Sequence, residues 1–293
     1  MSNLKTVLQQ NKQLIDRTMQ EILDKQQVVS ATLQEAMEYS LFSGGKRIRP
    51  ILCLLSAELC RADRAPACQA GCALEFIHTY SLIHDDLPEM DDDDYRRGKP
   101  SNHKVYGPGI AILAGDGLLT LAFNVLAGLD LPPARVRKIM LAVSQGAGPA
   151  GMVGGQVLDL QGENSDLSCE QLQNIHSNKT AALITGSVLA GAHCGRPRQE
   201  ELQALEKYAH NLGLLFQITD DILDVTGDSA KLGKAAGSDR ELNKTTYPSL
   251  LGLEGARSRA REYADTARRA VDIFGEKATT LTELVDFVLH REY

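Results

Sequence analysis

The chain has no excess of positive charge: 31 Lys and Arg against 38 Asp and Glu leave a net charge of −7 over 293 residues. That deficit argues against a non-specific nucleic-acid binder, whose affinity rests on a basic surface. Any anionic ligand must instead meet local clusters of cations. No CxxC pair occurs among the six cysteines at 53, 60, 68, 72, 169 and 194. Most lie within apolar stretches, where a free thiol behaves as a small hydrophobe, so reduced thiols and a cytoplasmic setting are expected. The start, MSNLKTVLQQNKQLIDRTMQEIL, lacks the apolar core of a signal peptide. No run reaches the roughly 18 uncharged apolar residues of a membrane span, so neither export nor membrane insertion is expected. A Pro/Ser linker, a low-complexity tract and a fixed-period repeat are also missing, and residues 1–293 are read as one domain.

Period-2 alternation with dense Val, Ile and Thr is absent as well. Apolar residues recur instead at three- and four-residue spacing, which reads as an all-α chain. The series Leu205, Ala209, Leu212 and Phe216 marks one such face. The spacing predicts helices over 4–28, 31–42, 50–61, 68–87, 110–128, 134–147, 170–193, 201–225 and 255–272. Polar connections rich in Gly, Pro, Ser or charge fall at 89–109, 161–168 and 227–246, and long connections in a compact domain are often functional.

From Asp85 to Asp94, seven of ten side chains are carboxylates, directly after the apolar stretch CALEFIHTYSLIH. A helix C-terminus is unfavourable for Asp85 and Asp86 unless cations neutralise them, and clustered oxygen ligands suit Mg²⁺. Asp85 and Asp91 would lie about 240° apart on an unbroken helix. They could share a metal only if Pro88 interrupts it. A second cluster, Asp220-Asp221-Ile222-Leu223-Asp224, follows another amphipathic helix. Leu212, Phe216, Asp220 and Asp224 form an i, i+4 row, so at least one of these two carboxylates is expected to be buried beside core residues. Either cluster alone would read as a solvated acidic surface; two of them, each behind an apolar helix, point to a shared site.

Cations stand where a phosphate ligand would need them. Gly44-Gly45-Lys46-Arg47-Ile48-Arg49-Pro50 precedes an apolar helix, a position that favours anions. Arg96-Arg97-Gly98-Lys99 follows the first acidic run. His78, Ser81 and Asp85 share a helix face. The His84-Asp85 doublet admits a metal-dependent phosphohydrolase, but no HxxxH or HxH supplies its further ligands.

The ordered motifs GGKRIRP, EFIHTYSLIHDDLPEMDDDDYRRGKP, GDGLL, GQVLDL, Lys179-Thr180, FQITDDILD and GKAAGSDRELNKTTYP resemble trans-isoprenyl diphosphate synthases over about residues 40–252. The likeness is greatest to the bacterial short-chain, farnesyl-producing branch. It implies an isoprenoid synthase-type helical bundle around a deep central cavity, in a homodimer. It also implies head-to-tail condensation of an allylic diphosphate with isopentenyl diphosphate, releasing pyrophosphate. On the family pattern three Mg²⁺ ions, replaceable by Mn²⁺, would be held by Asp85, Asp91 and Asp220, with Asp86 and Asp224 close by. Arg96, Lys179 and Lys234 would contact the allylic diphosphate. Lys46, Arg49, His78 and Arg97 would hold isopentenyl diphosphate without metal. Thr180, Gln217 and the Lys179 carbonyl match positions that steady the cation, and Gln156 and Asp159 resemble residues near the metals, although Gly154-Gly155 could equally make that stretch a packing helix. Tyr80 and Ser81, with the Pro88-Glu89 enlargement of the first motif, resemble the pattern of enzymes that stop at C15. The alternatives are a geranyl or geranylgeranyl diphosphate synthase and a non-catalytic regulatory subunit, against which the intact DDILD speaks. Gly107-Pro108-Gly109 departs from the more usual Gly-Glu-Ala, and Gly117 from a common Ala; neither removes an expected ligand.

Overall fold

The structure is a computed structural model that describes residues 2–163, 165–226 and 244–291. It is all-helical apart from one two-stranded ribbon among the described residues. The helices are α1 (Ser2–Asp24), α2 (Ala31–Leu41), α3 (Ile48–Leu59), α4 (Arg64–Asp85), α5 (Asn102–Tyr106), α6 (Pro108–Ala127), α7 (Pro133–Ala147), α8 (Met152–Gly162) and α9 (Cys169–His176). They continue as α10 (Ala182–Cys194), α11 (Gln199–Thr226), α12 (Tyr247–Ala270) and α13 (Thr279–Leu289). Strands β1 (Tyr95–Arg96) and β2 (Lys99–Pro100) pair antiparallel between α4 and α5.

Eight of the nine expected helices agree with observed ones; the last is preceded by a short helical stretch from Tyr247, joined to it across a kink at Gly252 (φ 68°). A capping box of Thr246 and Ser249, with Pro248 in the first turn, starts α12 there. The ninth, 170–193, is interrupted: a π turn (Ser177–Ala181) separates α9 from α10. The periodicity does not mark α5 or α13, and α8 is expected only as one of two readings of GQVLDL.

Helices α3 and α10 organise the interior. Both are buried along most of their length, apart from Arg49 and Glu58 near the ends of α3. One face of α3 (Cys53, Leu54, Ala57) joins α4, α6 and α7 in a first apolar cluster, and the other (Ile51, Leu52, Leu55, Leu59) joins α11, α12 and α13 in a second. The two helices touch backbone to side: a Cβ on Gly191 would lie 2.0 Å from the Cys53 carbonyl oxygen. Helix α6 has the length and apolar composition to cross a membrane. It packs against α4, α2 and α5, and carries Asp116 at mid-length. All six cysteines are free, and five of them are buried.

The entry into α11 is fixed by charge. Glu201, 2% exposed, accepts two hydrogen bonds from the Arg61 guanidinium (3.0 and 2.8 Å) and one from the Arg198 backbone N–H (2.7 Å). The Arg61 bonds foremost hold its carboxyl down to about 2, against an ordinary value of 4.5. A depressed carboxylate stabilises the fold above its unfolded value and loses that contribution as pH falls from 4.5 towards 2. Glu201→Gln is therefore expected to lower the urea midpoint at pH 7 and to remove part of the acid-side slope; identical slopes for variant and parent would disprove the assignment.

Candidate active site

Helix α4 stops at Asp85, three residues before Pro88, because the residue preceding a proline avoids the helical region. The chain then folds back. The Leu87 N–H donates to the His84 carbonyl (3.1 Å), the Asp91 N–H to the Asp85 carbonyl (2.9 Å) and the Asp92 N–H to the Leu87 carbonyl (3.1 Å). This return brings Asp91 against Asp85, and both line one cavity of about 1450 Å³. Burial, aided by the Asp91 and Asp86 carboxylates and opposed by Lys179 and Arg96, pushes the Asp85 carboxyl up to about 6. Such crowding of like charge is relieved by a cation.

Asp86 does not line the cavity. It is 2% exposed and held by Arg96, whose Nε donates to Oδ1 at 2.8 Å. Arg96 also donates to Asp93 at 3.1 Å. Asp86, expected near the metals, thus acts on Arg96 from behind.

The second cluster corrects the expected burial. Asp220 is exposed and lines the cavity, and Asp224 is half-buried outside its lining. The buried member is Asp221, which accepts from Gln217 Nε2 (3.1 Å) and from the Tyr247 N–H at the start of α12 (3.0 Å). The i, i+4 row is real but leaves the core at Phe216, which already lines the cavity. Asp221, one residue round, faces α12. Asp220 meets Arg291, whose Nη2 lies 2.6 Å from its Oδ1 and 2.7 Å from the Phe216 carbonyl oxygen.

The basic side grows from Arg47. This residue caps α3 in a left-handed backbone conformation (φ 54°) and is buried. Its guanidinium donates to Asp16 (2.8 Å), Glu75 (2.8 Å) and the Leu41 carbonyl (2.5 Å), tying α1, α4 and the end of α2 together. With Arg47 committed inward, Lys46 and Arg49 on either side line the cavity with His78 and Arg97. Burial lowers Arg49 to about 10, against the pull of Glu75, and its Nε is buried without a partner. Burial and then the surrounding guanidiniums of Arg49, Arg97, Arg96 and Arg47 push His78 well below its ordinary range, so its imidazole is neutral at pH 7. Arg97 reaches the Gly44 carbonyl (2.6 Å) across Gly45, where a Cβ would sit 2.8 Å from the guanidinium.

Lys179 and Thr180 project from the π turn, a feature found disproportionately at functional sites. Gly155 of α8 lies directly against that turn: a Cβ there would fall 2.1 Å from the Lys179 backbone nitrogen. Lys179 Nζ is 2.7 Å from Asp159 Oδ2, and Thr180 Oγ1 donates to Gln217 Oε1 at 3.1 Å. Burial raises Asp159, but the Lys179 and Lys244 ammoniums outweigh it and hold the carboxyl below its usual value. Both readings of GQVLDL therefore hold: α8 packs through its glycines, and Gln156 and Asp159 belong to the site, Gln156 in the cavity wall and Asp159 on Lys179. Lys234 lies outside the described residues. Lys244 was quoted within its motif without a role. It stands 3.6 Å from Asp91, 3.6 Å from Asp159 and 3.8 Å from Glu163, joining the two acidic regions.

Carboxylates from two helices meet at one cavity, beside separate groups of cations. Asp85, Asp91 and Asp220 offer oxygen only, the donor set that suits Mg²⁺. Beyond the charged rim the wall turns apolar, with Tyr80, Ile112, Met152, Val153 and Val157. An all-helical bundle with this layout defines an enzyme that handles diphosphates attached to apolar chains.

The chain belongs to the polyprenyl synthetase family, whose model matches residues 30–283. It is 44% identical over 284 residues to a farnesyl diphosphate synthase of Geobacillus stearothermophilus, covering 95% of each chain. It is 42% identical over 292 residues to a geranylgeranyl diphosphate synthase of Cyanophora paradoxa, covering 99% of this chain and 97% of that one. The fold superposes on a geranylgeranyl pyrophosphate synthetase of Pyrococcus horikoshii with a TM-score of 0.92, 30% identity and 99% coverage of both. The protein is accordingly a short-chain trans-prenyltransferase of isoprenoid synthesis, in a Mg²⁺-dependent family that uses isopentenyl and allylic diphosphates.

Removing Arg47 would leave Glu75 buried without its partner. Arg47→Met is expected to cost about 3–5 kcal/mol in urea unfolding, the usual penalty for breaking a buried pair, with part recovered in the Arg47→Met/Glu75→Gln double variant. A loss no larger than the about 0.5 kcal/mol of a surface exchange would show that the pairing is idle.

Proposed function

We propose that this single-domain enzyme makes (2E,6E)-farnesyl diphosphate, adding isopentenyl diphosphate to dimethylallyl and then to geranyl diphosphate. The observation that carries the C15 choice is Tyr80, buried in the cavity wall five residues before Asp85. At helical rise that is about 7.5 Å below the carboxylates, where an aromatic ring would stop the growing chain. Tyr80 also packs edge-on against His84, with ring centroids 5.7 Å apart, which restrains it. Ser81 leaves room beside it. The reading as a geranylgeranyl diphosphate synthase has its own support, since relatives of that name match about as closely as the farnesyl one.

Asp85, Asp91 and Asp220 would hold three magnesium ions, with manganese as a substitute, and Asp224 would assist from the next turn. The ions supply Lewis-acid neutralisation of the departing diphosphate. The remaining work falls to the chain. Arg96, Lys179 and Lys234 bind the allylic diphosphate and meet the charge that grows as its C–O bond breaks. Asp86 keeps Arg96 aimed at that position. Lys244 adds a cation between Asp91 and Asp159. Lys46, Arg49, Arg97 and the neutral His78 bind the second diphosphate without metal and fix the double bond for attack. Thr180 Oγ1, Gln217 Oε1 and the Lys179 carbonyl present oxygen dipoles to the carbon that becomes electron-poor, and the released pyrophosphate takes the final proton. The exposed apolar residues Leu113 on α6 and Leu141 on α7 support a homodimer, covered by a second copy.

Incubation with Mg²⁺, labelled isopentenyl diphosphate and dimethylallyl diphosphate is expected to yield mainly C15 alcohol after dephosphorylation, and none when the metal is chelated. A C20 product would favour the geranylgeranyl reading. Tyr80→Ala is expected to move the main product to C20 or beyond; an unchanged C15 product at normal activity would locate the floor elsewhere.

A further inference from the structure

The acidic loop carries another group of metal-binding atoms on its outer side. Asp92, Asp94 and His103 bring two carboxylate oxygens and one ring nitrogen within 4.8 Å of one another, and none of the three lines the cavity. Two exposed aspartates would mean little alone. His103 is different: it is 5% exposed, and its Nε2 is buried without a hydrogen-bond partner. Its other nitrogen, Nδ1, lies 3.2 Å from Ser101 Oγ, and that hydroxyl lies 3.3 Å from the Asp94 carbonyl oxygen. With the hydroxyl proton directed to the carbonyl, Nδ1 carries the ring proton and Nε2 presents a bare lone pair. A buried acceptor that meets no donor weakens the fold. What the geometry offers in place of a donor is a cation.

We propose that Asp92, Asp94 and His103 bind a borderline divalent transition ion such as Zn²⁺ or Mn²⁺, apart from the carboxylates that face the cavity. One imidazole with two carboxylates favours such ions over Mg²⁺ or Ca²⁺, which take oxygen. Ligand bonds of about 2.0–2.2 Å place the atoms of a tetrahedral site about 3.4 Å apart. The cluster closes to that spacing through small swings of the exposed Asp92 and Asp94 side chains, the latter leaving its ion pair with Lys104. Ser101 orients the imidazole from its far side, as partners of metal-bound histidines do. Lys104 competes, since its Nζ lies 2.6 Å from Asp94 Oδ1.

The location gives the ion a task. Asp94 precedes the β1–β2 ribbon and His103 follows it, and the Ser101 N–H already closes its base on the Asp94 carbonyl at 2.9 Å. Asp92 adjoins Asp91. An ion here joins both ends of the segment that presents Asp91, Arg96 and Arg97 to the cavity, and holds those groups in place before substrate arrives.

Mn²⁺ added to the full chain tests this by pulsed electron paramagnetic resonance. The cavity carboxylates give oxygen ligands only, so ¹⁴N modulation reports the proposed site. Modulation is expected in the parent protein and in Asp85→Asn/Asp91→Asn. It is expected to vanish in Asp92→Asn/Asp94→Asn, a surface exchange that leaves the buried histidine intact, and on adding Zn²⁺. Lys104→Met is expected to tighten Mn²⁺ binding severalfold. Absence of nitrogen coupling in the parent protein, or coupling that survives the Asp92→Asn/Asp94→Asn exchange and so belongs to another histidine, would overturn the proposal.

Discussion

The Arg47 guanidinium, buried between Glu75 and Asp16, is the interaction on which the anion-binding half of the site depends. One side chain joins three helices and fixes a left-handed turn between Lys46 and Arg49. All three basic residues touch the cavity wall, but the Arg47 guanidinium is engaged by Asp16, Glu75 and the Leu41 carbonyl, so Lys46 and Arg49 are the two left to face a ligand. Glu75 has a wider reach than its contact: its charge also acts on Arg49 and Arg97, so one buried carboxylate moderates the repulsion among several guanidiniums. The cavity can then remain strongly cationic in a chain whose net charge is negative.

On the opposite side the balance reverses. Asp85, Asp91, Asp159 and Asp220 are each set against a cation from elsewhere in the chain: Lys179, Lys244 or Arg291. These pairs are partly exposed, so their rearrangement costs little compared with the deep Arg47 network. The fold therefore separates fixed charge from exchangeable charge. The fixed partner lies behind the wall, as Asp86 lies behind Arg96, while the pairs at the rim can yield to incoming diphosphate and metal.

Much of this was legible in the sequence because it is local. Helical periodicity marks the long amphipathic elements, and Pro88 marks the end of α4. What escaped depended on tertiary context. For α8 the glycines suggested a packing helix, but not its partner: Gly155 presses on the π turn that carries Lys179. The i, i+4 row through Asp220 pointed to the right helix face, but pattern alone could not say where along α11 the core gives way to a cavity. Lys244 and Arg291 approach the acidic groups from distant parts of the chain, which no spacing rule reveals. The start of α12 was readable in Thr246, Pro248 and Ser249, a signal that the charged stretch before it obscured.

The π turn at Ser177–Ala181 has a consequence for phase. Each added residue advances a helix by about 100°, so one extra residue in a turn rotates everything after it relative to everything before. Helices α9 and α10 are in effect one rod in two phases. Helix α9 packs on α8, α11 and α12, and α10 on α3, α7 and α11, so only α11 serves both phases among these neighbours. The backbone at the phase boundary is gripped by the glycines of two neighbours, Gly155 of α8 and Gly213 of α11. Lys179 and Thr180 occupy that boundary, and the change of phase there turns both side chains to the cavity without a loop.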